Sequence, residues 1–466
     1  MARLDADVVV VGAGLSGLTA AFRLAQQGGV RLRVVESAAR PGGVIGSVRR
    51  DGALYERGPN SGLDTTPLVN ELLAAAGIAG ERVDASSTAA KRYILRDGAL
   101  SSLPTSPPAF ITSRLFSWRA KLALLREPFV APAAADAEET VAGFVRRRLG
   151  NEFLDYAIEP FVAGIYAGDP DKLSVPAAFP RLFALEQKYG SLIRGQIKGA
   201  RERRRSAEKA KNAAVGFSFR EGMQTLTDAL ARDLRIDHGV HAAGLRREAD
   251  GTFVLECERG GERFELRARS VVLAVPAYDA ARIVDRIAPD AAAALEAIAY
   301  PPVATVASCY RRADVAHPLD GFGFLAPRKE SPPILGCLFS SSMFPGRADD
   351  STVLLTTFIG GVRSGPLAMR SEDELTADVT AALRRYLGAQ RPLWQVATRW
   401  PRAIPQYTLG HLQRIAAVER AEAAVPGLRL CANWRGGVSV ADCIKSAHAA
   451  VEAVQQFLRW PAPGAA

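Results

Sequence analysis

The sequence is poor in the residues that build disulfide frameworks and metal sites. Five of its 466 residues are histidine, and five are cysteine, namely Cys257, Cys309, Cys337, Cys431 and Cys443. The number of cysteines is odd, no CxxC pair occurs, and no histidine lies at ligand spacing from a cysteine. We therefore expect no disulfide framework and no metal site, and a reducing compartment is the simplest interpretation.

Long apolar runs are also missing. No stretch of 18 consecutive apolar residues occurs, which argues against a helix that spans a membrane. The opening residues, MARLDADVVVVGAG, lack a basic segment followed by an apolar one, so we expect no signal peptide. These patterns predict a cytoplasmic protein and leave peripheral contact with a membrane open.

Positive charge, by contrast, is in excess. The formal net charge is +10, while 48% hydrophobic and 23% charged residues are typical of a globular protein. A chain of this length predicts two or three domains. The basic balance favours an anionic partner, which can be a nucleic acid, a membrane surface or an acidic small molecule, and does not choose among them.

The N-terminal segment carries a glycine motif between a strand and a helix. Four valines precede Gly12, and helical periodicity follows Gly17. Gly12 permits the turn, Gly14 lets a pyrophosphate approach the backbone, and Gly17 lets the helix pack closely on the strand. The phosphates are then expected at the positive end of the helix.

Two further features favour FAD over NAD. Glu36 ends a second strand 19 residues after Gly17, where an acid accepts hydrogen bonds from ribose hydroxyls. Arg40 precedes two glycines, Gly42 and Gly43, that allow a second close approach to the cofactor, and its cation suits a phosphate. A second strand-glycine-helix unit is not apparent, so we expect no nicotinamide domain, and electrons leave the flavin to oxygen or a quinone.

The closing segment completes a pattern that resembles a known superfamily. The stretch GLRLCANWRGGVSVADCIKSAHAAVEAVQQFL predicts a strand, a glycine turn at Gly436 and Gly437, and a long helix from about Ala441. Together with the N-terminal motif, it resembles the flavin-containing amine oxidases, whose FAD domain is assembled from separated segments. The N-terminus of the last helix is expected to face the electron-rich end of the flavin.

Four stretches resemble the protoporphyrinogen oxidase family within that superfamily: RYILRDGALSSLP (92–104), GIYAGDPDKLSV (164–175), IPQYTLGH (404–411) and VSVADCIKSA (438–447). The resemblance implies an α/β protein with a discontinuous Rossmann-type FAD-binding domain, an α+β substrate domain and a helical membrane-contact domain. The expected boundaries are 1–84, 214–283 and 401–466 for the FAD domain, 85–94 and 284–400 for the substrate domain, and 95–213 for the helical domain.

The same resemblance implies the residues that contact FAD. They lie in five separated segments, and Val240 is expected to act through its backbone. The implied contacts are Gly12, Ala13, Gly14, Leu15, Ser16, Gly17, Glu36, Arg40, Gly43, Val44, Gly58, Pro59, Asn60, Ser61, Val240, Gly437, Val438 and Ser439. The last three are expected at the isoalloxazine ring.

The substrate site follows from the resemblance in the same way. Arg92 is expected to pair with a propionate of the tetrapyrrole, because a forked guanidinium suits a planar carboxylate. Leu325, Leu338 and Phe358 are expected to form apolar walls around the macrocycle, and Gly164 to offer its carbonyl to a pyrrole N–H. From the residues alone, Arg92 is a solvated cation and the three apolar residues are core. The stretch FVAGIYAGDPDKLS around Gly164 reads as a strand that ends in an acidic turn.

The implied reaction is the oxygen-dependent oxidation of protoporphyrinogen IX to protoporphyrin IX in haem biosynthesis. It removes six electrons in three flavin cycles, by hydride transfer to FAD N5, and produces hydrogen peroxide. No catalytic side chain is predicted, since the five histidines are scattered and are expected to be structural. A coproporphyrinogen III oxidase is the nearest alternative, with four propionates that call for a more cationic pocket. An amine oxidase is the other, with Trp394, Trp400 and Trp434 as candidate aromatics at the flavin.

The middle of the chain predicts contact with a membrane. Apolar Ile111, Leu115, Phe116, Trp118, Leu122 and Leu125 alternate with Arg114, Arg119, Lys121 and Arg126, which suits a helix in a lipid interface. An ordinary amphipathic helix is the alternative. The basic run at 198–212 suits a solvated loop, a lipid contact or a nucleic-acid patch. No nucleic-acid module accompanies it, so we expect no nucleic-acid partner. A homodimer is left open.

Overall fold

Two large β-sheets organise the chain in the computed structural model, which describes residues 4–134, 137–199 and 214–459. The first sheet consists of β1 (Ala6–Val11), β2 (Leu32–Glu36), β10 (Ile236–His238), β11 (His241–Arg247), β12 (Phe253–Arg259), β13 (Glu262–Leu273) and β19 (Leu428–Leu430). The second sheet consists of β7 (Lys91–Arg96), β8 (Ala99–Ser102), β14 (Val303–Arg311), β15 (Gly321–Leu325), β16 (Gly336–Leu338), β17 (Thr352–Gly360) and β18 (Trp394–Trp400). Two small sheets accompany them: β3 (Ser47–Arg50) pairs with β4 (Ala53–Glu56), and β9 (Gly216–Phe219) pairs with β5 (Gly62–Leu63) and β6 (Arg82–Asp84).

The helices lie mainly on the faces of these sheets and between residues 107 and 198. They are α1 (Leu15–Gln26), α2 (Pro67–Ala75), α3 (Pro107–Thr112), α4 (Trp118–Ala123), α5 (Val141–Arg148), α6 (Asn151–Phe153), α7 (Glu159–Tyr166), α8 (Val175–Ala178), α9 (Pro180–Tyr189), α10 (Leu192–Lys198), α11 (Gln224–Ala231), α12 (Ala277–Val284), α13 (Pro289–Glu296), α14 (Ser340–Met343), α15 (Gly361–Ala368), α16 (Glu372–Leu387), α17 (His411–Ala424) and α18 (Val440–Arg459).

The core of the first sheet is parallel and is covered on both faces. Strands β10, β2, β1, β13 and β19 run parallel in that spatial order, and β11 and β12 extend the sheet as an antiparallel hairpin. Helices α1 and α18 pack together on one face, and α12 and α13 cover the other. Burial on both faces explains the continuous valine run of β1, because strands between two helical layers need apolar side chains on each side.

The second sheet has one face in the core, and its other face borders the helical segment, where Ile94 and Leu325 join an apolar cluster. Helix α16 lays Val379 and Leu383 against Tyr310, Leu355 and Ile359 on the core face. Along each strand the intervening residues point to the opposite face, because successive side chains of a strand alternate. That opposite face carries the residues predicted to hold the substrate.

The stretch around Gly164 is helical, so its interpretation as a strand is wrong. Residues Leu154–Ile158 form a π-helix that continues directly into α7, and Pro160 lies in the first turn of α7. Proline has no N–H to donate to the preceding turn and crowds the carbonyl four residues before it, so it falls where the helix changes from π to α. A short apolar run is also typical of a buried helix, which periodicity alone does not distinguish from a strand.

The predicted interfacial helix is broken into shorter pieces. Helices α3 and α4 each begin at a serine whose hydroxyl accepts a backbone amide, and a 3₁₀-helix follows at Leu124–Phe129. Leu115 and Phe116 are buried, so these two residues are not available to lipid. Among the described residues, no helix has the length and apolar character needed to cross a membrane. Most of the basic run at 198–212 lies outside the described residues.

A buried charge network holds the helical segment together. The Arg148 guanidinium, fully buried, donates to Glu186 at 2.6 Å and to Glu127 at 3.0 Å. Glu127 also accepts the hydroxyl of Ser191 and the amides of Leu192 and Ile193, which lie at the start of α10. Burial raises the pKa of Glu127, but these hydrogen bonds and Arg148 outweigh it and the net pKa is lowered.

We expect Arg148→Met to lower the free energy of unfolding by about 3–5 kcal/mol, because it leaves the buried Glu127 carboxylate without its cation, whereas Glu186 keeps its ion pair with Arg147. Urea denaturation followed by circular dichroism measures the change. The control is Arg146→Met in the same helix, whose half-exposed side chain pairs with Asp171 at 2.8 Å. That exposed pair is worth less than about 1 kcal/mol. Equal losses in both variants would contradict the buried network.

The same network predicts acid sensitivity with a defined sign. The folded pKa of Glu127 lies below its ordinary value of 4.5. Its stabilising contribution is therefore complete above that ordinary value and is lost as the pH falls through the lower folded pKa. We expect the stability difference between the wild type and Arg148→Met to shrink over the same acidic range.

Candidate functional site

The glycine motif forms a tight turn with one open side. Gly12 has φ of +94° and its amide donates to the carbonyl of Val35. A Cβ on Gly17 would lie 1.8 Å from the carbonyl oxygen of Gly12, so the helix touches the turn directly. A Cβ on Gly14 would meet no atom within 4 Å. The predicted roles of packing at Gly17 and of open access at Gly14 fit these two surroundings.

The second glycine element packs against the first. The amide of Gly42 donates to the carbonyl of Ala13 at 2.7 Å, and a Cβ on Gly43 would lie 3.2 Å from the Cα of Gly14. The Arg40 guanidinium donates to the carbonyls of Pro41, Gly43 and Ile45. Arg40 therefore shapes this loop from within, and its contact with a phosphate stays a prediction.

Glu36 connects three of the predicted cofactor segments. Its side chain is 8% exposed and accepts the amide of Ala13 at 2.7 Å and that of Ala38 at 2.7 Å. Its carbonyl accepts the amide of Val240 at 2.9 Å, which brings this distant residue beside the strand end. One acceptor oxygen thus holds the glycine loop, and the carboxylate marks the edge where a ribose is expected.

The loop at 58–61 lies against the second glycine element. A Cβ on Gly58 would lie 2.2 Å from the carbonyl oxygen of Val44, so glycine is required there. Asn60 folds its amide back toward the carbonyl of Gly58, and Pro59 and Ser61 are half-buried beside it. The predicted contacts in this loop and Val44 are therefore neighbours.

The last helix starts with a reciprocal cap between Ser439 and Asp442. The Ser439 hydroxyl accepts the amide of Asp442, and the Asp442 carboxylate accepts the amide of Ser439. A Cβ on Gly437 would lie 2.3 Å from that carboxylate, so the turn permits no larger residue. Helix α18 also contacts α1 and β5, which places Gly437, Val438 and Ser439 near the other predicted cofactor loops. The helix begins at Val440, one residue before the predicted start.

The predicted substrate walls share one face of the second sheet. Phe358 lies opposite Gly336, which lies opposite Leu325, and Leu338 lies opposite both Thr356 and Gly323. Residues directly opposite one another in a sheet point to the same side. The register therefore brings Leu325, Leu338 and Phe358 to one surface floored by small residues.

Arg92 belongs to that surface as well. It pairs with Gly323 in the parallel β7–β15 ladder, and its guanidinium lies 5.5 Å from the ring of Phe322. The neighbouring Lys91 is bound by Asp320, and this ion pair lowers the pKa of Asp320 to about 2. Among the described residues no carboxylate pairs with Arg92. Arg92 therefore presents a free cation at the end of the apolar face.

Gly164 closes this surface from the helical segment. A Cβ on Gly164 would lie 2.9 Å from Leu325 Cδ2, so helix α7 approaches the wall as closely as backbone allows. Gly164 is exposed, whereas the preceding Val162 and Ala163 are buried. Its carbonyl lies in the last turn of α7, where carbonyls lack partners within the helix. Leu325 and Val438 pack against the same apolar cluster, so the predicted substrate wall and the predicted flavin contact share one core.

A buried ion pair missed by the sequence analysis braces this wall. Arg363 donates to Glu159 at 3.1 Å and to the carbonyls of Ala326 and Ile334. It thereby joins the start of α7 to the chain that follows Leu325. Burial raises the pKa of Glu159, and the amide of Arg328 and the charge of Arg363 oppose that rise. The sequence signal was a charged residue two positions after the glycine pair that ends an apolar strand.

Two tryptophans considered for an amine-oxidase site lie in packed cores. Trp434 is fully buried and donates its indole N–H to the carbonyl of Val275, and Trp394 packs on Tyr55. Trp400 donates to the carbonyl of Arg57 at the rim of the substrate face. His411 is buried and its pKa is lowered to about 4, mainly by burial, so the ring is neutral at physiological pH.

The chain matches a family model over almost its whole length. The model of the flavin containing amine oxidoreductases matches residues 15–455, and the chain belongs to this family. It is 34% identical over 480 residues to the mitochondrial protoporphyrinogen oxidase of Nicotiana tabacum, covering 97% of this chain and 95% of that relative. It is 29% identical over 469 residues to the coproporphyrinogen III oxidase of Bacillus subtilis (strain 168), covering 97% and 98%.

A solved structure extends the likeness to three dimensions. A protein of Exiguobacterium sp. 255-15, provisionally assigned as a protoporphyrinogen oxidase, superimposes with a TM-score of 0.81 at 25% identity and covers 97% of this chain. These findings confirm the predicted mixed α/β fold, the predicted family and an oxidoreductase that uses FAD.

Proposed function

We propose that the protein oxidises protoporphyrinogen IX to protoporphyrin IX in tetrapyrrole biosynthesis, with molecular oxygen as the acceptor and hydrogen peroxide as a product. The observation that carries the proposal is the shared sheet face, which combines a broad apolar surface with one free guanidinium. A flat macrocycle with apolar edges and carboxylate tails fits such a face. The likeness to the tobacco enzyme supports the same substrate class.

The FAD-contact assignment is part of the proposal. The Gly12–Gly17 turn and the amides of α1 would hold the pyrophosphate, Glu36 the ribose, and Gly437 to Ser439 the ring end. FAD supplies the redox chemistry when bound, as the acceptor of two electrons per cycle. The chain's own residues bind and orient the substrate: Arg92 fixes a propionate, and the apolar walls exclude water from the reacting carbon.

Purified protein provides the decisive test. We expect flavin absorbance, and oxygen uptake that is faster with protoporphyrinogen than with coproporphyrinogen or common amines. A protein that stays colourless after FAD addition would contradict the proposal. Faster turnover of coproporphyrinogen would move the assignment to the activity named for the Bacillus subtilis relative. We favour protoporphyrinogen because Arg92 is the cation that the described sheet face presents, and four propionates call for more.

We also propose the division into an FAD domain, a substrate domain and a helical domain. The strands of the first sheet come from residues 6–36, 236–273 and 428–430, which supports a discontinuous Rossmann-type domain. The second sheet includes β8 and thus extends past residue 94 to Ser102. We therefore place the start of the helical domain after this strand.

We expect Arg92→Ala to raise the KM for porphyrinogen about tenfold to a hundredfold, since a charge-assisted hydrogen bond is worth about 1.5–3 kcal/mol. FAD content should stay unchanged, because Arg92 lies on the second sheet. Steady-state kinetics and flavin absorbance measure the two quantities. The KM of Arg92→Lys should lie between those of the wild type and Arg92→Ala, because lysine keeps the positive charge but lacks the forked guanidinium.

Lys91→Ala is the matched control for Arg92. Lys91 is the adjacent residue in the same strand, and its ammonium is already bound by Asp320. We therefore expect little change in KM. An effect as large as that of Arg92→Ala would mean that general positive charge, and no specific propionate contact, attracts the substrate.

We propose peripheral membrane contact through a stripe formed by Trp118, Leu122, Leu125 and Phe129. These residues are exposed, from 61% at Leu122 to 83% at Phe129. Lys121 lies 4.5 Å from the ring of Trp118, which suits an interface with lipid phosphates. A cytoplasmic protein attached to the membrane surface would thereby reach a poorly soluble substrate.

We expect the double change Trp118→Ser and Phe129→Ser to weaken binding to anionic vesicles about tenfold or more, because each ring contributes about 1.5–3 kcal/mol when it is buried. Co-sedimentation at low salt measures the effect. Leu393→Ser is the control, because Leu393 is also exposed, at 47%, but lies just before β18 of the second sheet and outside the stripe. Wild-type protein that stays in the supernatant would contradict membrane contact.

A further inference from the structure

The segment Ile404–Tyr407 lies between the predicted substrate helix and the predicted flavin loop. Gln406 is 2% exposed, and its amide donates to the carbonyl of Tyr166 at 2.7 Å and to that of Ile404 at 3.0 Å. Tyr166 is the last residue of α7, the helix that carries Gly164. Gln406 therefore caps the end of the helix that closes the substrate face.

The next residue, Tyr407, binds the flavin loop. Its hydroxyl donates to the carbonyl of Asn433 at 2.7 Å and accepts the amide of Gly437 at 2.9 Å. One hydroxyl thus bridges the two ends of the turn that leads into α18. The ring of Tyr407 is 2% exposed and stacks on that of His411 at 4.0 Å, which fixes the direction of the hydroxyl.

These contacts link the two halves of the reaction site through consecutive residues. We propose that Gln406 and Tyr407 are positioning residues that set the separation between bound FAD and the substrate wall at Gly164. This inference rests on the proposed porphyrinogen oxidation. Hydride transfer from a carbon to a flavin demands close and fixed contact, and a displacement of about 1 Å costs about a hundredfold in rate. Because Gln406 and Tyr407 are adjacent in the chain, the end of α7 and the loop at Gly437 can move little relative to each other.

The proposal predicts a separation of effects that general destabilisation does not produce. Tyr407→Phe keeps the stacking on His411 and removes the hydroxyl. Since that hydroxyl makes two hydrogen bonds, we expect the Kd for FAD to rise about tenfold. The amides at the start of α18 then hold the reduced ring less well, and the midpoint potential of bound FAD falls by about 30 mV, the two-electron equivalent of tenfold. The KM for porphyrinogen stays within about twofold of the wild type.

The Gln406 variants should show the opposite pattern. Gln406→Met removes the donor to the carbonyl of Tyr166, and we expect the KM for porphyrinogen to rise about tenfold while the Kd and potential of FAD stay unchanged. If this variant does not fold, Gln406→Asn replaces it, because the shorter side chain keeps the amide but does not reach the carbonyl. Isothermal titration of FAD into apoprotein, potentiometry and steady-state kinetics give the three readouts.

Tyr166→Phe is the matched control. Tyr166 is equally buried, its ring lies 5.7 Å from that of Tyr407, and its hydroxyl donates to the carbonyl of Ala178, away from the flavin loop. We expect none of the three quantities to change more than twofold. The inference is overturned if Tyr407→Phe leaves the FAD Kd and potential unchanged, or if the control shifts them as strongly. It is also overturned if the Gln406 variants change FAD affinity and KM together.

Failure of the proposed function is distinguishable from failure of this inference. Wild-type protein that does not bind FAD, or that binds it and oxidises no porphyrinogen, contradicts the proposed function. In the second case the Kd and potential of Tyr407→Phe still decide whether this hydroxyl positions the flavin loop.

Discussion

Replacing Gly17 by alanine should destroy the fold of the FAD-binding half of the protein. The added Cβ would lie 1.8 Å from the carbonyl oxygen of Gly12, a rigid backbone atom that has no rotamer to escape into. Helix α1 must then move away from β1 at the centre of the first sheet. We expect the free energy of unfolding to fall by about 4 kcal/mol or more, a loss typical of substitutions that overpack a buried core. Low soluble yield and a lowered Tm measure it.

Gly14→Ala is the control. It should leave the stability of the fold unchanged and weaken the binding of FAD. The Cβ would meet no protein atom within 4 Å, and the φ of −74° at this residue suits alanine. The apoprotein should therefore fold with an unchanged Tm. The methyl group enters the space assigned to the pyrophosphate, so the affinity for FAD should fall about a hundredfold or more. Normal FAD binding by Gly14→Ala would contradict this placement of the phosphates.

The predicted dinucleotide-binding turn could be identified from sequence because the residues that form it are contiguous in the chain. Strand, glycine turn and helix follow one another within β1 and α1, and each glycine has a local steric reason. The same holds for the start of α18, where the glycine turn at Gly436 and Gly437 comes just before the helix. Short-range geometry of this kind is written directly in the order of residues, so pattern reasoning finds it.

The substrate face could not be derived from local pattern, because it depends on strand register. Leu325, Leu338 and Phe358 come from three strands, and their common direction follows only from which residues are paired. A slip of one residue in any strand would turn its side chain to the other face. The resemblance to a family supplied these residues, and the register supplies the physical reason that they act together.

Contacts between distant segments were the hardest to predict. Val240 reaches Glu36 only because β10 pairs with β2, and Arg363 meets Glu159 only after the second sheet packs on α7. The stretch IPQYTLGH was noted as a family match, yet no role for Gln406 or Tyr407 follows from sequence. Their partners, Tyr166 and Gly437, are set by the assembled fold.

Replacing Gly164 by leucine should abolish porphyrinogen turnover while FAD remains bound. The side chain would enter the gap between α7 and the sheet face, where even a Cβ comes within 2.9 Å of Leu325 Cδ2. We expect kcat/KM to fall about a hundredfold or more, the scale of a misplaced substrate. Flavin content should match that of the wild type. Gly164→Ala should cost less, because the Leu325 side chain can rotate away from one methyl group.

A loss of turnover in the Gly164 variants could also come from crowding within the helical segment, and a second glycine tests this. Gly195 in α10 offers a matched control, since a Cβ there would also lie 2.9 Å from a leucine Cδ2, that of Leu185, in the helical segment. Gly195→Ala should disturb packing at least as much as Gly164→Ala, since its Cβ also lies 3.1 Å from Tyr189, and should leave kcat/KM unchanged. Adding Leu325→Ala to Gly164→Leu should restore part of the turnover, because it reopens the gap. Unchanged kcat/KM in Gly164→Leu would show that the macrocycle does not lie against α7, and the substrate would then have to enter from another side of the sheet face.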